Sequence, residues 1–453
     1  MIDKYYNGVI EQVYNRVGKT ERNIVMASYS NDFSIENLET IKRYQANDDS
    51  VFFAWHEFGY RELAGAYEPF LDTICNMFRK YQKGDFDTFL AECGVYELQR
   101  EVFRSYYESG ICEREEGVLL NEVEYEQSRM TEAIAAMLKA LAKTHPIVLV
   151  INRFQMASRS AFELVYALIT KPDSNIGLVL GVNESTGRWE SIAEVWDGIV
   201  ESLEDRSQLY HIGSSNRRRT ELKEEITIGE GYTDNVYVDE NYEESLQKVA
   251  NIVEFLDYDQ AKRYFQGVEH KIKFEDVQME DSCKQMFYLL YARTSILLGE
   301  LSKALELVSE ATHMIPAEND FLYRSQCDFL RATCYMYQGK LEKAEKYANL
   351  SYGRAMESED AKQVFRAALL KVMAKMSGWY NIFFCVQDIP IEAEIIEKLM
   401  QYGYWNHLAH IYIYAYDNHP KVVAKAYRSE AALFYFSKGV DLAKKNWKRA
   451  AGI

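Results

Sequence analysis

Four short apolar runs constrain this chain most strongly: NIVMAS (23–28), VFFAWHEF (51–58), PIVLVIN (146–152) and GLVLGVN (177–183). A weaker fifth is QLYHIG (208–213). Between them, apolar residues recur at helical spacing over Ser34 to Tyr44, Tyr67 to Tyr81 and Thr131 to Ala142. Continuous apolar runs, as opposed to alternating ones, belong to strands covered on both faces. Strands separated by helices build a parallel sheet. The first 215 residues therefore predict an α/β domain. Ser160 followed by Glu163 predicts a capping box that opens the helix after the third run.

The chain has 453 residues, enough for roughly two to four domains. Acids outnumber bases 69 to 52, for a net charge of −17. Such a field repels phosphate, so we expect neither nucleic acid nor an anionic membrane as a partner of this chain. Arg217, Arg218 and Arg219 form the one tight basic run, and Glu221, Glu224 and Glu225 follow it, which reads as a solvated linker. The opening MIDKYYNGVIEQ lacks the apolar core of a secretion signal. No stretch approaches the ~18 uninterrupted apolar residues of a membrane span. The cysteines (Cys75, Cys93, Cys112, Cys283, Cys327, Cys334 and Cys385) are odd in number and form no C-x-x-C pair. They read as reduced, packed thiols, and a cytoplasmic location is expected.

The stretch IVLVINRFQMASRSAFELVYAL (147–168) resembles the ATPase module of the STAND class, the AAA-like P-loop NTPases of bacterial signalling regulators. FGYRELAGAYEPFLDTI (58–74) is similar to the segment after that module's second strand, and GLVLGVNE (177–184) to its sensor strand. The resemblance implies a P-loop-NTPase-like parallel sheet over about residues 20 to 215. The groups that carry the chemistry are missing. A phosphate loop needs G-x-x-x-x-G-K-[ST] between strand and helix, so that glycine N–H groups curl around the phosphates and lysine offsets their charge. VGKT (17–20) is a decoy, because it precedes the first strand and Val13 stands where the first glycine is required. The loop in the proper place, SYSNDFS (28–34), has neither glycine nor lysine, and Asp32 would repel phosphate.

The class also ends its third strand in two acids, which hold magnesium and polarise water. Asn152 and Arg153 stand there. An amide is a weak ligand for a hard cation, and the arginine has the wrong sign. Asn183 replaces the basic sensor residue. Arg153 reads as the partner of an acid more readily than as an anion site. His56 and Glu57 are adjacent on one strand, so their side chains leave on opposite faces and form no acid–base pair. No catalytic residue, cofactor or metal is expected of this half.

Residues 216–245 are polar and charge-dense and read as a linker between an α/β domain (1–215) and an all-α domain (246–453). In the latter, Ala292, Gly299, Ala304, Ala311 and Pro316 are answered by Ala332, Gly339, Ala344 and Ser351. Ala292 to Ala332, Gly299 to Gly339 and Ala304 to Ala344 are each 40 residues. The pattern resembles a lengthened tetratricopeptide unit, as in the maltose-activator type of STAND regulator, and implies a helical superhelix. Small residues let paired helices cross closely, and the glycines turn the chain between them. A third unit (366–384) turns at Gly378, and 243–266 reads as a lead-in helix pair. His407 and His410, with His419 and Asp417 nearby, have possible zinc spacing but no complete ligand set, and read as packed or solvated. The 34 tyrosines fit inter-repeat packing and a groove for peptides.

Phe434, Tyr435, Phe436 and Val440 have no obvious closing helix before KKNWKRAAGI, so we expect this to be the front of a longer protein. The resemblance implies a downstream output domain, a GGDEF-type diguanylate cyclase or a helix-turn-helix, and neither signature occurs here. The sequence thus points to a non-catalytic regulatory scaffold that binds a protein or peptide partner. The alternatives are a nucleotide-binding ATPase-type regulator, or the front half of a cyclase or transcription regulator.

Overall fold

The structure is a computed structural model. It describes residues 2–30, 33–47, 50–60, 63–82, 84–112, 123–184, 192–212, 241–274, 279–314 and 320–360, with scattered positions between 363 and 374. Two compact units meet in sequence near residue 283.

The first unit contains five strands: β1 (Ile24–Tyr29), β2 (Phe52–Glu57), β3 (Ile147–Asn152), β4 (Ile176–Asn183) and β5 (Leu209–Ile212). They form one all-parallel sheet in the order β2-β3-β4-β1-β5. Every residue of β1, β3 and β4 is buried, as their unbroken apolar sequences require. β2, at one edge, is only half-buried. The register sets Tyr29 beside Asn183 and Glu57 beside Asn152, so these four side chains share the carboxyl end of the sheet.

Helices α1 (Ile2–Arg16) and α2 (Glu39–Asn47) cover one face. Their Tyr6, Val9, Ile10, Val13 and Ile41 pack with Val25, Ala27, Tyr29, Val148, Val150 and Val179. The opposite strand residues face a second layer: α3 (Phe70–Tyr81), α6 (Val123–Ala142), α7 (Arg159–Thr170) and α8 (Ala193–Asp205) pack in succession. Between α3 and α6 lie α4 (Phe86–Glu92), capped by Asp85, and α5 (Glu97–Ser109), stopped by left-handed Gly110.

Two local expectations are corrected. α2 begins at Glu39, not Ser34, because the Ile35 N–H is held by Glu57 Oε2 at 2.9 Å, which fixes a loop where a helical turn would start. The cap of α7 is Ser158, not Ser160. Ser158 is extended and its hydroxyl accepts from Ala161 N. Ser160 already lies inside the helix and accepts from Tyr67 N at 2.9 Å, while Glu163 is engaged by Arg159.

The helix pair α9 (Tyr242–Glu254) and α10 (Tyr258–Phe274) belongs to this first unit, where the sequence grouped it with the repeats. Asp257, in the turn of the pair, accepts from Ser160 N at 3.0 Å at the start of α7, and Asp259 pairs with Arg159. Phe255 inserts among Tyr67, Phe103 and Tyr106.

The second unit's described part is helical: α11 (Asp281–Leu297), α12 (Leu301–His313), α13 (Phe321–Tyr337) and α14 (Leu341–Ser358). The forty-residue repeat is written into its backbone. Gly299 and Gly339 are left-handed, with φ of 76° and 70°. Each is followed by the same bond, Glu300 N to Ser295 O at 2.7 Å and Lys340 N to Tyr335 O at 2.9 Å. Ala292, Ala304, Ala311, Ala332 and Ala344 are fully buried. Ser325 and Ser351 exchange hydroxyl-to-carbonyl bonds at 2.8 and 2.9 Å across α13 and α14, and Asp328 is gripped by Arg331 and Arg354. Pro316, Gly378, Asp417, the three histidines His407, His410 and His419, the arginine run and Asp32 lie outside the described residues. Among the described residues no helix is long and apolar enough to cross a membrane.

Candidate functional site

In an open parallel sheet, ligands bind beyond the carboxyl ends of the strands, where neighbouring strands send their connections to opposite faces. β1 leads through α2 towards β2, and β4 leads through α8 to β5 at the other edge. The crevice therefore lies between β1 and β4, and the candidate residues Asn152, Arg153 and Asn183 do converge there. Asp32 belongs to the same loop but is not described.

The crevice is filled by the chain itself. Asn152 is fully buried. Its Oδ1 accepts from the Tyr29 hydroxyl at 2.7 Å, and its Nδ2 donates to Phe33 O at 3.1 Å and towards Glu57 Oε2 at 3.3 Å. Both ends of the amide are thus engaged, by the end of β1, by Phe33 beyond it and by Glu57. Glu57, on β2, links the same loop through Ile35 N and holds Arg153 Nη1 at 3.1 Å. Arg153 also donates to Phe58 O at 3.1 Å and lies over the Tyr60 ring at 4.6 Å. Its backbone is left-handed, φ 52° and ψ 42°, a costly conformation for a residue with a Cβ, and these contacts hold it there. Asn183 donates to the Tyr60 hydroxyl at 2.8 Å, and its backbone C=O and N–H bond the Gln155 side-chain amide at 3.3 and 3.4 Å.

Aromatic rings complete the filling. Tyr6 from α1, Tyr29 and Phe33 meet edge to face at centroid distances of 6.3, 5.2 and 4.7 Å. Tyr6 is fully buried, its hydroxyl has no hydrogen-bond partner among the described residues, and burial pushes its phenol well above the ordinary range, with the nearby Tyr29 and Glu57 adding to the effect. α1 is seated on two glycines of β4. A Cβ on Gly177 would lie 2.7 Å from Val13 Cγ1. One on Gly181 would overlap the Tyr6 hydroxyl and lie 2.6 Å from Asn152 Oδ1. Gly177 and Gly181 are four apart on a strand and Tyr6 and Val13 seven apart on a helix, so each pair shares one face. The sequence did carry this signal, since glycine inside a buried strand often marks a close approach.

The remaining candidates separate. VGKT lies at the amino edge, where Gly18 N donates to Ser174 O at 2.7 Å and the Lys19 ammonium is occupied by Asn15 O at 2.9 Å. His56 leaves Glu57 and approaches Glu68 at 3.7 Å. Ser28, His211 and Glu184 do meet, with Ser28 Oγ 2.8 Å and Glu184 Oε1 3.4 Å from the same atom, His211 Nδ1. A proton relay needs the acid on the other ring nitrogen, so this cluster is no nucleophilic triad. Among the described residues no three His, Cys, Asp or Glu side chains are grouped to hold a metal ion.

Comparison with protein-family models, curated proteins and solved structures finds no match for this chain.

Proposed function

We propose that the chain is a non-catalytic regulatory scaffold: a degenerate STAND-type, P-loop-NTPase-like core joined to tetratricopeptide-like helices that bind a protein or peptide partner. One observation carries the non-catalytic half of this reading. Asn152, at the position of the magnesium-binding acid, has its whole amide engaged by Tyr29, Phe33 and Glu57. Phe33, in the loop that would cradle phosphates, is thereby tied to the strand end. Arg153, one residue on, has its charge met by Glu57. What supports the binding half is the repeated hairpin geometry at Gly299 and Gly339, which lets successive helix pairs stack into an extended surface.

Titrating magnesium-ATP into the full chain by calorimetry tests the first half. No binding heat is expected at millimolar nucleotide. Magnesium-dependent binding in the micromolar range would restore the ATPase reading. As a second arm, Asn152→Asp with Arg153→Asp is expected to give no ATP turnover, because the phosphate loop is also lacking.

A further inference from the structure

Tyr6 of α1 reaches the crevice while Val9, Ile10 and Val13 pack on the face of the sheet, yet two features weaken the hold of the helix. The Tyr6 hydroxyl is buried beside Gly181 and Asn152 without a hydrogen-bond partner among the described residues. A buried polar group without a partner opposes the state that buries it, and in water the hydroxyl would be hydrogen-bonded. Gly8 sits in the interior of α1, where glycine disfavours helix, and no atom lies within 4 Å of the position its Cβ would take. Packing therefore does not require glycine there. These observations are independent: one concerns the buried face, the other the exposed backbone.

Beyond the buried packing of Tyr6, Val9, Ile10 and Val13 with Ile41 and the sheet, α1 is tied to α2 by polar contacts and one ring stack. Glu11 and Arg43 form an ion pair at 2.9 Å with both side chains about half exposed, and such pairs contribute little. Asn7 accepts from Thr40 N at 3.1 Å, and Tyr14 stacks on Tyr44 at 3.8 Å. The strands beneath are fully buried and paired on both sides.

We infer that α1 is a displaceable latch: a helix packed across β4 with Tyr6 at the crevice, held less firmly than the strands it covers and able to leave them as a unit. Its departure uncovers the groove over Gly177, Val179 and Gly181. This holds whether or not the crevice takes nucleotide, so it stands apart from the proposed function.

Native-state hydrogen exchange on the full chain tests it, with Tyr6→Phe and Gly8→Ala as probes. In the wild type, α1 amides are expected to exchange through an opening that leaves β1, β3 and β4 protected. Tyr6→Phe removes only the hydroxyl and is expected to slow α1 exchange about tenfold, and Gly8→Ala about fivefold, with strand exchange changed far less. Two results overturn the inference. One is α1 exchanging only together with the strands in global unfolding. The other is Tyr6→Phe leaving α1 exchange unchanged or faster, which would mean the hydroxyl supports the docked state.

Discussion

Glycine performs opposite tasks in the two units. In β4 of the α/β unit, Gly177 and Gly181 provide space: their absent Cβ atoms are the room occupied by Val13 and Tyr6. In the helical unit, Gly299 and Gly339 provide backbone angle. Both are left-handed, and nothing lies within 4 Å of where a Cβ would sit. A side chain at the first kind of site meets atoms; at the second it meets only its own backbone. The α/β unit is thus specified by a close contact between distant segments, and the hairpins by local conformation.

Gly181→Ala should break this contrast most severely. Overpacking against Tyr6 and Asn152 is expected to destabilise by about 3 kcal/mol, near the upper end of the usual range. Chemical denaturation measures it, and a cycle with Tyr6→Phe should recover part of the loss, since the two residues touch. Strict additivity would show that Tyr6 is not seated on Gly181. Gly339→Ala should cost less, about 1–2 kcal/mol, because only left-handed strain is introduced, and Gly339→Asn less again. Equal losses for alanine and asparagine would mean that space, not angle, decides that turn.

The smallest effect concerns pH, and sharpens the contrast by probing the edge of the sheet. Burial holds the His56 imidazole below its usual range, against the raising influence of Glu68 and Asp72. The unfolded chain therefore takes up this proton first as pH falls. The linkage contribution is intact above about pH 6.5 and is lost progressively below it. His56→Gln should flatten the melting temperature against pH between about 6.5 and 5. An unchanged slope there would mean that His56 is solvated in the fold.

Much of the architecture was legible in the sequence. All five strands fall on the apolar runs, and β1, β3 and β4 stand out most clearly because burial on both faces leaves no polar alternation to obscure them. The turn glycines were legible because 40-residue spacing exposes them. The wiring of the site was less so. Asn152 and Arg153 could be seen to lack the chemistry of acids, but not that Tyr29, Phe33 and Glu57 would engage them. Those residues lie 123, 119 and 95 positions from Asn152. Tyr6 was not singled out, because nothing in MIDKYYNGVIEQ tells which tyrosine meets a glycine of a distant strand. The α9–α10 pair looked like the start of the repeats, since its spacing is the same whichever surface it covers.

By itself, the sequence determined the strands and the glycine turns of the helical unit, because apolar runs and left-handed glycines act over a few residues. Tertiary structure alone decided that α1 lies across β4, that Phe33 and Ile35 after β1 are held by Asn152 and Glu57, and that Asp257 and Asp259 at the turn from α9 into α10 engage the start of α7. Each of these depends on which distant surfaces fit without overlap or stranded charge, and such fit is a property of three-dimensional packing that no local pattern records.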